Sequence, residues 1–178
     1  MPMYVSLLRA VNVAAKNKVP MAELRTLFGT LGHTDVRTYI QSGNVVSRHD
    51  GEDPAELERE AAAAIQERFG FSVPVLMRSA DQLRAVLDHD PYVEVADHKQ
   101  IAIIFLSGLA EPAKLASIDP AGYSPDVFTA RDRELYVHYP NGMGRSKLTH
   151  GVFERRLGVH ATARNRRTVE QLLKMCGG

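Results

Sequence analysis

The sequence contains no tryptophan, and aromatic residues make up only 7% of its 178 positions. That weakens any function built on broad aromatic stacking. A single cysteine, Cys176, excludes a disulfide framework and a cysteine-rich metal site. No apolar stretch approaches the roughly 20 residues of a membrane-spanning helix. The opening MPMYVSLLRAVNV carries Arg9 within its apolar run and lacks the layout of a signal peptide. Charge of one sign is also lacking. Twenty-two Lys and Arg face 21 Asp and Glu, a formal net charge of +1, so the chain as a whole makes no demand for a polyanionic partner. None of the seven histidines falls in an HExxH or other metal-ligand spacing. Ser6, Ser42 and Ser146 have no nucleophile elbow beside them. The class expected from these absences is a cytoplasmic protein off the membrane. No catalytic residue and no metal ligand is nominated, and the cofactor and oligomeric state are left unknown.

Hydrophobic residues are 44% of the chain, enough for a packed core without staples. The charge is unevenly placed. Residues 140–178 carry eight basic and two acidic side chains, a net +6, and the rest of the chain is −5. Such asymmetry suits an anionic ligand site or a basic solvated surface.

Residues 4–13 read as a β-like run followed by a polar loop, and Pro20 suits the first position of a helix. Met21, Leu24, Leu27, Phe28 and Leu31 recur at helical spacing, with Gly32 after them. Strands are expected at 36–40 and from Val45, joined by a turn at Ser42-Gly43-Asn44. Asp53, Pro54 and Glu56 open a helix that Gly70 closes, and 73–77 reads as a strand. Ser79 and Gln82 form a capping pair for the next helix. The second half repeats the pattern: a strand at 100–106, a short helix at 111–118, a hairpin around Asp132, a helix ended by Gly158, and a strand at 160–163. A last helix is expected to be capped by Thr168. FGFSVPVLMRSADQL and LGVHATARNRRTVEQL share one scheme of glycine, strand, arginine and capped helix. The fold class expected is α+β, two ferredoxin-like βαββαβ subdomains, residues 1–90 and 91–178.

Four polar segments are candidates for chemistry. The first comes after the opening strand: Arg9, Asn12, Lys16, Asn17 and Lys18, with the lysines near a helix start. The second is the turn Gln41, Ser42, Gly43 and Asn44, able to shape the chain and present amides. The third is Asn141, Gly142, Gly144, Arg145, Ser146 and Lys147, expected to bind an anion at the start of its helix, with Ser146 capping the helix or donating its hydroxyl. It is neither a Walker A loop nor a Rossmann fingerprint. The fourth is Arg164 and Asn165, with Arg166 and Arg167 read as surface residues. Asp35, Asp126 and Asp132 read as turn residues, His138 as a packed or exposed strand residue, and Cys176 as part of a frayed tail.

The pieces LLRAVNVAAKNKVPMAELR, VRTYIQSGNVV, FGFSVPVLMRS, VHYPNGMGRSKLT and ATARNRRTVEQLL, in this order, resemble a bacterial family known only as a domain of unknown function, DUF1697. The resemblance implies the same two-part α+β fold and brings no activity with it. It also implies glycine where Ala10, Ala14 and Ala15 stand, and often tryptophan where Arg166 stands. Positive φ and ligand clearance are alternative reasons for those glycines. The function expected is binding of a small anionic ligand, a nucleotide or phosphorylated metabolite, in a groove between the subdomains. The alternatives are a nucleic-acid-binding module, with Tyr4, Tyr39, Tyr136 and Tyr139 as its aromatics, and an interaction protein without ligand. Whether any reaction is catalysed is left open.

Overall fold

The computed structural model describes residues 1–177. The chain divides into two compact units, residues 1–85 joined by the C-terminal residues from 171, and residues 86–170.

The first unit runs β1 (Met3–Leu8), α1 (Met21–Thr30), β2 (Thr34–Tyr39), β3 (Asn44–Arg48), α2 (Pro54–Phe69) and β4 (Val75–Ser79), and α3 (Ala80–Asp88) leads out of it. The sheet order is β2-β3-β1-β4, with every neighbouring pair antiparallel. The second unit runs β5 (Ile101–Leu106), α4 (Pro112–Leu115), β6 (Val127–Arg131), β7 (Glu134–His138), α5 (His150–Leu157) and β8 (Ala161–Asn165), followed by α6 (Arg166–Met175). Its sheet order, β6-β7-β5-β8, is the same arrangement, again fully antiparallel. Each unit is therefore a ferredoxin-like βαββαβ layer of sheet and helices.

Local chemistry sets the element ends. The Asp53 carboxylate accepts from the Ala55 amide at 2.9 Å, Pro54 takes the first helical position, and Gly70 ends α2 at φ +83°. Ser79 and Gln82 cap α3 reciprocally, at 2.8 and 3.1 Å. Pro74 lies just before the edge strand β4, and its carbonyl accepts the Arg9 amide.

Three expectations change. α6 begins at Arg166, and the Asn165 side chain, not Thr168, caps it by accepting from the Thr168 amide at 2.8 Å. Strand runs straight into helix at Asn165, as it does at Ser79, so in both units the last strand residue is the cap. α4 is a single turn rather than the span 111–118. The Ser117 hydroxyl takes the Lys114 carbonyl, and Asp119-Pro120 starts a separate 3-10 turn. β4 starts at Val75 because Pro74 has no amide to give a ladder.

In the first unit Leu24 and Phe28 of α1, and Leu57, Ala61 and Ile65 of α2, pack with Leu8, Val45 and Met77 of the sheet. In the second, Phe153 and Leu157 of α5 pack with Ile104, Val137 and Ala161. Each large side chain fully buried in this way contributes about 1.5–3 kcal/mol. β1 and β5 are buried at every position, which explains why β5 is apolar throughout and β1 is broken only by Ser6, where a half-exposed strand would alternate. No helix among the described residues is long and apolar enough to cross a membrane.

Candidate functional site

In the first unit the structure brings the first two polar segments together. Asn12 is the staple. Its Nδ2 donates to the Gln41 carbonyl at 2.7 Å and the Val19 carbonyl at 3.0 Å, and its Oδ1 accepts from the Val19 amide at 2.9 Å. One side chain thus ties both ends of the 9–19 connection to the β2–β3 turn. Asn17 donates to the Ala10 carbonyl at 3.3 Å, and fully buried Asn44 closes the hairpin by donating to the Tyr39 carbonyl at 3.1 Å. Gly43 is required twice over. Its φ is +76°, and a Cβ there would lie 2.6 Å from Val11 Cγ2 and 2.7 Å from Leu8 Cβ. Asn12, Asn17 and Asn44 therefore hold backbone. Lys16, Lys18, Gln41 and Ser42 are exposed, and Arg9 is half-buried.

In the second unit the β7–α5 connection faces a cavity of about 400 Å³ lined by Gly122–Asp126, Asn141, Gly142 and Arg145–Lys147. Gly142 sits at φ +85° and ψ 147°, a conformation open essentially only to glycine. Its amide donates to the Tyr139 carbonyl at 2.9 Å. Ser146 then locks the exit. Its hydroxyl donates to Asp126 Oδ2 at 2.5 Å and accepts from the Leu148 amide at 2.9 Å. The buried Tyr139 hydroxyl donates to the Leu148 carbonyl at 2.7 Å, and burial, with the Asp126 charge adding, pushes its pKa well up.

This geometry corrects the expected helix-start site. α5 begins at His150 with Thr149 before it, and Ser146 caps no helix because both its hydrogen-bonding roles are already taken. Between Gly142 and Ser146 the chain forms only a 3-10 turn, Met143–Arg145. Asp126 is likewise no simple turn residue. It is 8% exposed and serves as a carboxylate acceptor in the cavity wall. Arg145 and Lys147 are exposed and form no ion pair among the described residues. Asn141 is exposed at the rim, and nothing crowds Gly144.

Arg164 and Asn165 do not line this cavity. Arg164 is buried in β8, donating from Nη1 to Thr162 Oγ1 at 2.7 Å and the Ala163 carbonyl at 2.9 Å, and burial pushes its pKa down to about 10. Arg78 holds the matching position in β4 of the first unit. It is 2% exposed and donates from Nη1 to the Met77 carbonyl at 2.9 Å. Arg78 was not among the four polar segments, and the shared scheme of strand, arginine and capped helix was its signal. Arg166 is not a surface residue. It pairs with Asp90 at 2.6 Å, both side chains under a tenth exposed, and donates to the Val95 carbonyl at 2.8 Å. Cys176 is half-buried rather than frayed, and burial raises its thiol pKa.

A family model described as protein of unknown function (DUF1697) matches residues 1–136. The chain belongs to the DUF1697 family. The match ends just before the 139–149 connection. The solved structure of the conserved bacterial protein SP0830 from Streptococcus pneumoniae covers 98% of both chains with a TM-score of 0.77 at 24% identity, which shows a shared fold over the full length. No curated protein matches. The DUF1697 description assigns no activity and no ligand, so the function is unknown.

The three positions where the resemblance implied glycine now have a reason. Ala10, Ala14 and Ala15 sit at φ +56°, +49° and +61°. The alanines keep the left-handed backbone at a cost of about 1–2 kcal/mol each.

One cluster escaped the sequence reading. His33 is 4% exposed, its ring lies 4.5 Å from that of His49, and its Nδ1 meets Ser47 Oγ at 2.9 Å. His49 Nδ1 accepts from the Gly51 amide at 2.8 Å. Burial first, then His49, lowers the His33 pKa to about 4. Residues so far apart in sequence give no local pattern to read. No group of three or more His, Cys, Asp or Glu among the described residues is placed to hold a metal ion.

Proposed function

We propose that this protein binds a small anionic ligand, a nucleotide or phosphorylated metabolite, in the cavity beside residues 141–147. The observation that carries the reading is the pair of cations, Arg145 and Lys147, on the rim of an open cavity without a carboxylate partner among the described residues. Their spacing on a clamped loop suits a multi-oxygen anion, with Arg145 able to engage two oxygens at once. Asn141 adds a neutral donor. Asp126 opposes an anion, but Ser146 already occupies its Oδ2, and the lining side chains still sum to a net positive charge. The sheet-aromatic route to RNA draws no support from this arrangement, because Tyr4, Tyr136 and Tyr139 are buried.

Calorimetric titration with ADP, and with adenosine as the neutral control, tests the reading. ADP is expected to bind and adenosine to bind at least about tenfold more weakly. Arg145→Ala and Lys147→Ala are each expected to weaken ADP binding about tenfold or more, from a lost charged hydrogen bond worth about 1.5–3 kcal/mol. Absence of ADP binding up to millimolar concentration, or equal binding by both variants, would contradict it.

A further inference from the structure

The cavity beside residues 141–147 has an acid in its wall that anion binding alone does not use. Asp126 lies just before β6 and is 8% exposed. Its amide donates to the Tyr123 carbonyl at 2.9 Å, at the end of the 3-10 turn Pro120–Tyr123. The Asp119 carboxylate holds the start of that turn by accepting from the Ala121 amide at 3.0 Å. The backbone that presents Asp126 is therefore fixed before any ligand arrives.

Only one of the two carboxylate oxygens is used. Oδ2 accepts from the Ser146 hydroxyl at 2.5 Å. Oδ1 accepts from no donor among the described residues and is not closed off from solvent. No ion pair among the described residues joins Asp126 to Arg145 or Lys147. A carboxylate oxygen on a side chain this far out of water wants a donor. A ligand hydroxyl meets that demand with a charge-assisted hydrogen bond. An ammonium would also meet it, but as a further cation beside Arg145 and Lys147. The cavity holds about 400 Å³, within the range of small-molecule sites, and Tyr123 and Pro125 give its wall an apolar stretch. A bare oxyanion uses neither that room nor that surface.

We propose that Asp126 Oδ1 accepts from a ribose hydroxyl, so that the ligand of this cavity is a ribonucleotide and not a bare oxyanion. The proposal rests on the anion reading of the same cavity. Arg145 and Lys147 hold phosphate oxygens, and Asp126 is the specificity-determining residue that selects the sugar. Ser146 occupies Oδ2, which leaves Oδ1 for the ligand.

The test is calorimetric titration of the intact protein with ADP and with 2′,3′-dideoxy-ADP, which keeps the phosphates and the base but has no ribose hydroxyl. The wild type is expected to bind ADP about tenfold or more tightly than the dideoxy nucleotide. In Asp126→Ala that ratio is expected to fall to about one, whatever happens to overall affinity. Ser146→Ala removes the loop clamp but keeps the carboxylate, and it is expected to retain the ratio. Equal binding of the two nucleotides by the wild type would overturn the proposal and leave the anion reading standing. A ratio that survives in Asp126→Ala, or that is lost equally in Ser146→Ala, would also overturn it. Failure of both nucleotides to bind would overturn the anion reading and this proposal with it.

Discussion

β1 and β5 hold the same place in their sheets, yet the chain leaves them by different routes. After β1 it takes the stapled, left-handed connection through residues 9–20 into the ten-residue α1. After β5 it passes by 107–111 into a four-residue helical turn. The relation reverses after the third strand of each unit. β3 reaches α2 through a short turn at 49–53 held by His49, while β7 reaches α5 through the longer 139–149 segment and its cavity. The strand order is common to both units, and the departures carry the exposed, uncompensated cations Lys16, Lys18, Arg145 and Lys147. The same contrast in function and in stability can be put to experiment.

The largest effect is expected at a contact only the second unit has. Asp90→Ala strands the buried Arg166 guanidinium, and breaking a buried pair costs about 3–5 kcal/mol. A denaturant midpoint that moves by less than about 1 kcal/mol would show the pair to be dispensable. In the first unit, Gly43→Ala imposes a left-handed alanine and a Cβ against Leu8 and Val11, for about 2–4 kcal/mol. Gly144→Ala, in open space and without a positive φ, should leave stability nearly unchanged, and equal losses at both glycines would erase the distinction drawn between them.

The histidine pair makes the first unit sensitive to acid. His33 takes a proton in the unfolded chain near pH 6.5 but resists it in the folded protein down to about pH 4. Its contribution is therefore fully present above pH 6.5. It is lost as pH falls through that window, by about 1.4 kcal/mol per pH unit and roughly 3 kcal/mol in total. Urea midpoints at pH 7, 5.5 and 4.5 measure the slope, and His33→Gln should flatten it. A slope that survives the substitution belongs to other groups. The smallest effect is a gain. Ala14→Gly or Ala15→Gly relieves a left-handed alanine and should stabilise the protein by about 1 kcal/mol, seen as a higher midpoint with an unchanged denaturant slope.

Much of the fold was legible because its signals are local. The Asp53-Pro54 start, the Ser79–Gln82 capping pair, the glycines after α2 and α5, and the repeated element order needed only neighbouring residues. The misreadings share a cause, which is competition for a polar side chain from a partner distant in sequence. Ser146 reads as a helix cap in the sequence, but α5 starts only at His150 and the Ser146 hydroxyl is taken by Asp126, twenty residues away. Arg166 looks like one cation in a basic surface run, yet Asp90 and the Val95 carbonyl hold it inside. Among the nominated site residues, Asn12, Asn17, Asn44 and Asn165 stand out by composition because asparagine suits turns, and each is used to hold backbone. The cations Lys16, Lys18, Arg145 and Lys147 were nominated by type alone, and their lack of a nearby carboxylate partner is a fact only the fold supplies.

The claim that ligand recognition lies where the repeats part company is tested most directly by hydrogen–deuterium exchange of the intact protein with and without saturating ADP. The account predicts slowed exchange across 139–149 and no change across the equivalent turn at 49–53. Equal protection of both segments, protection of 49–53 alone, or no protection at 139–149 would contradict it.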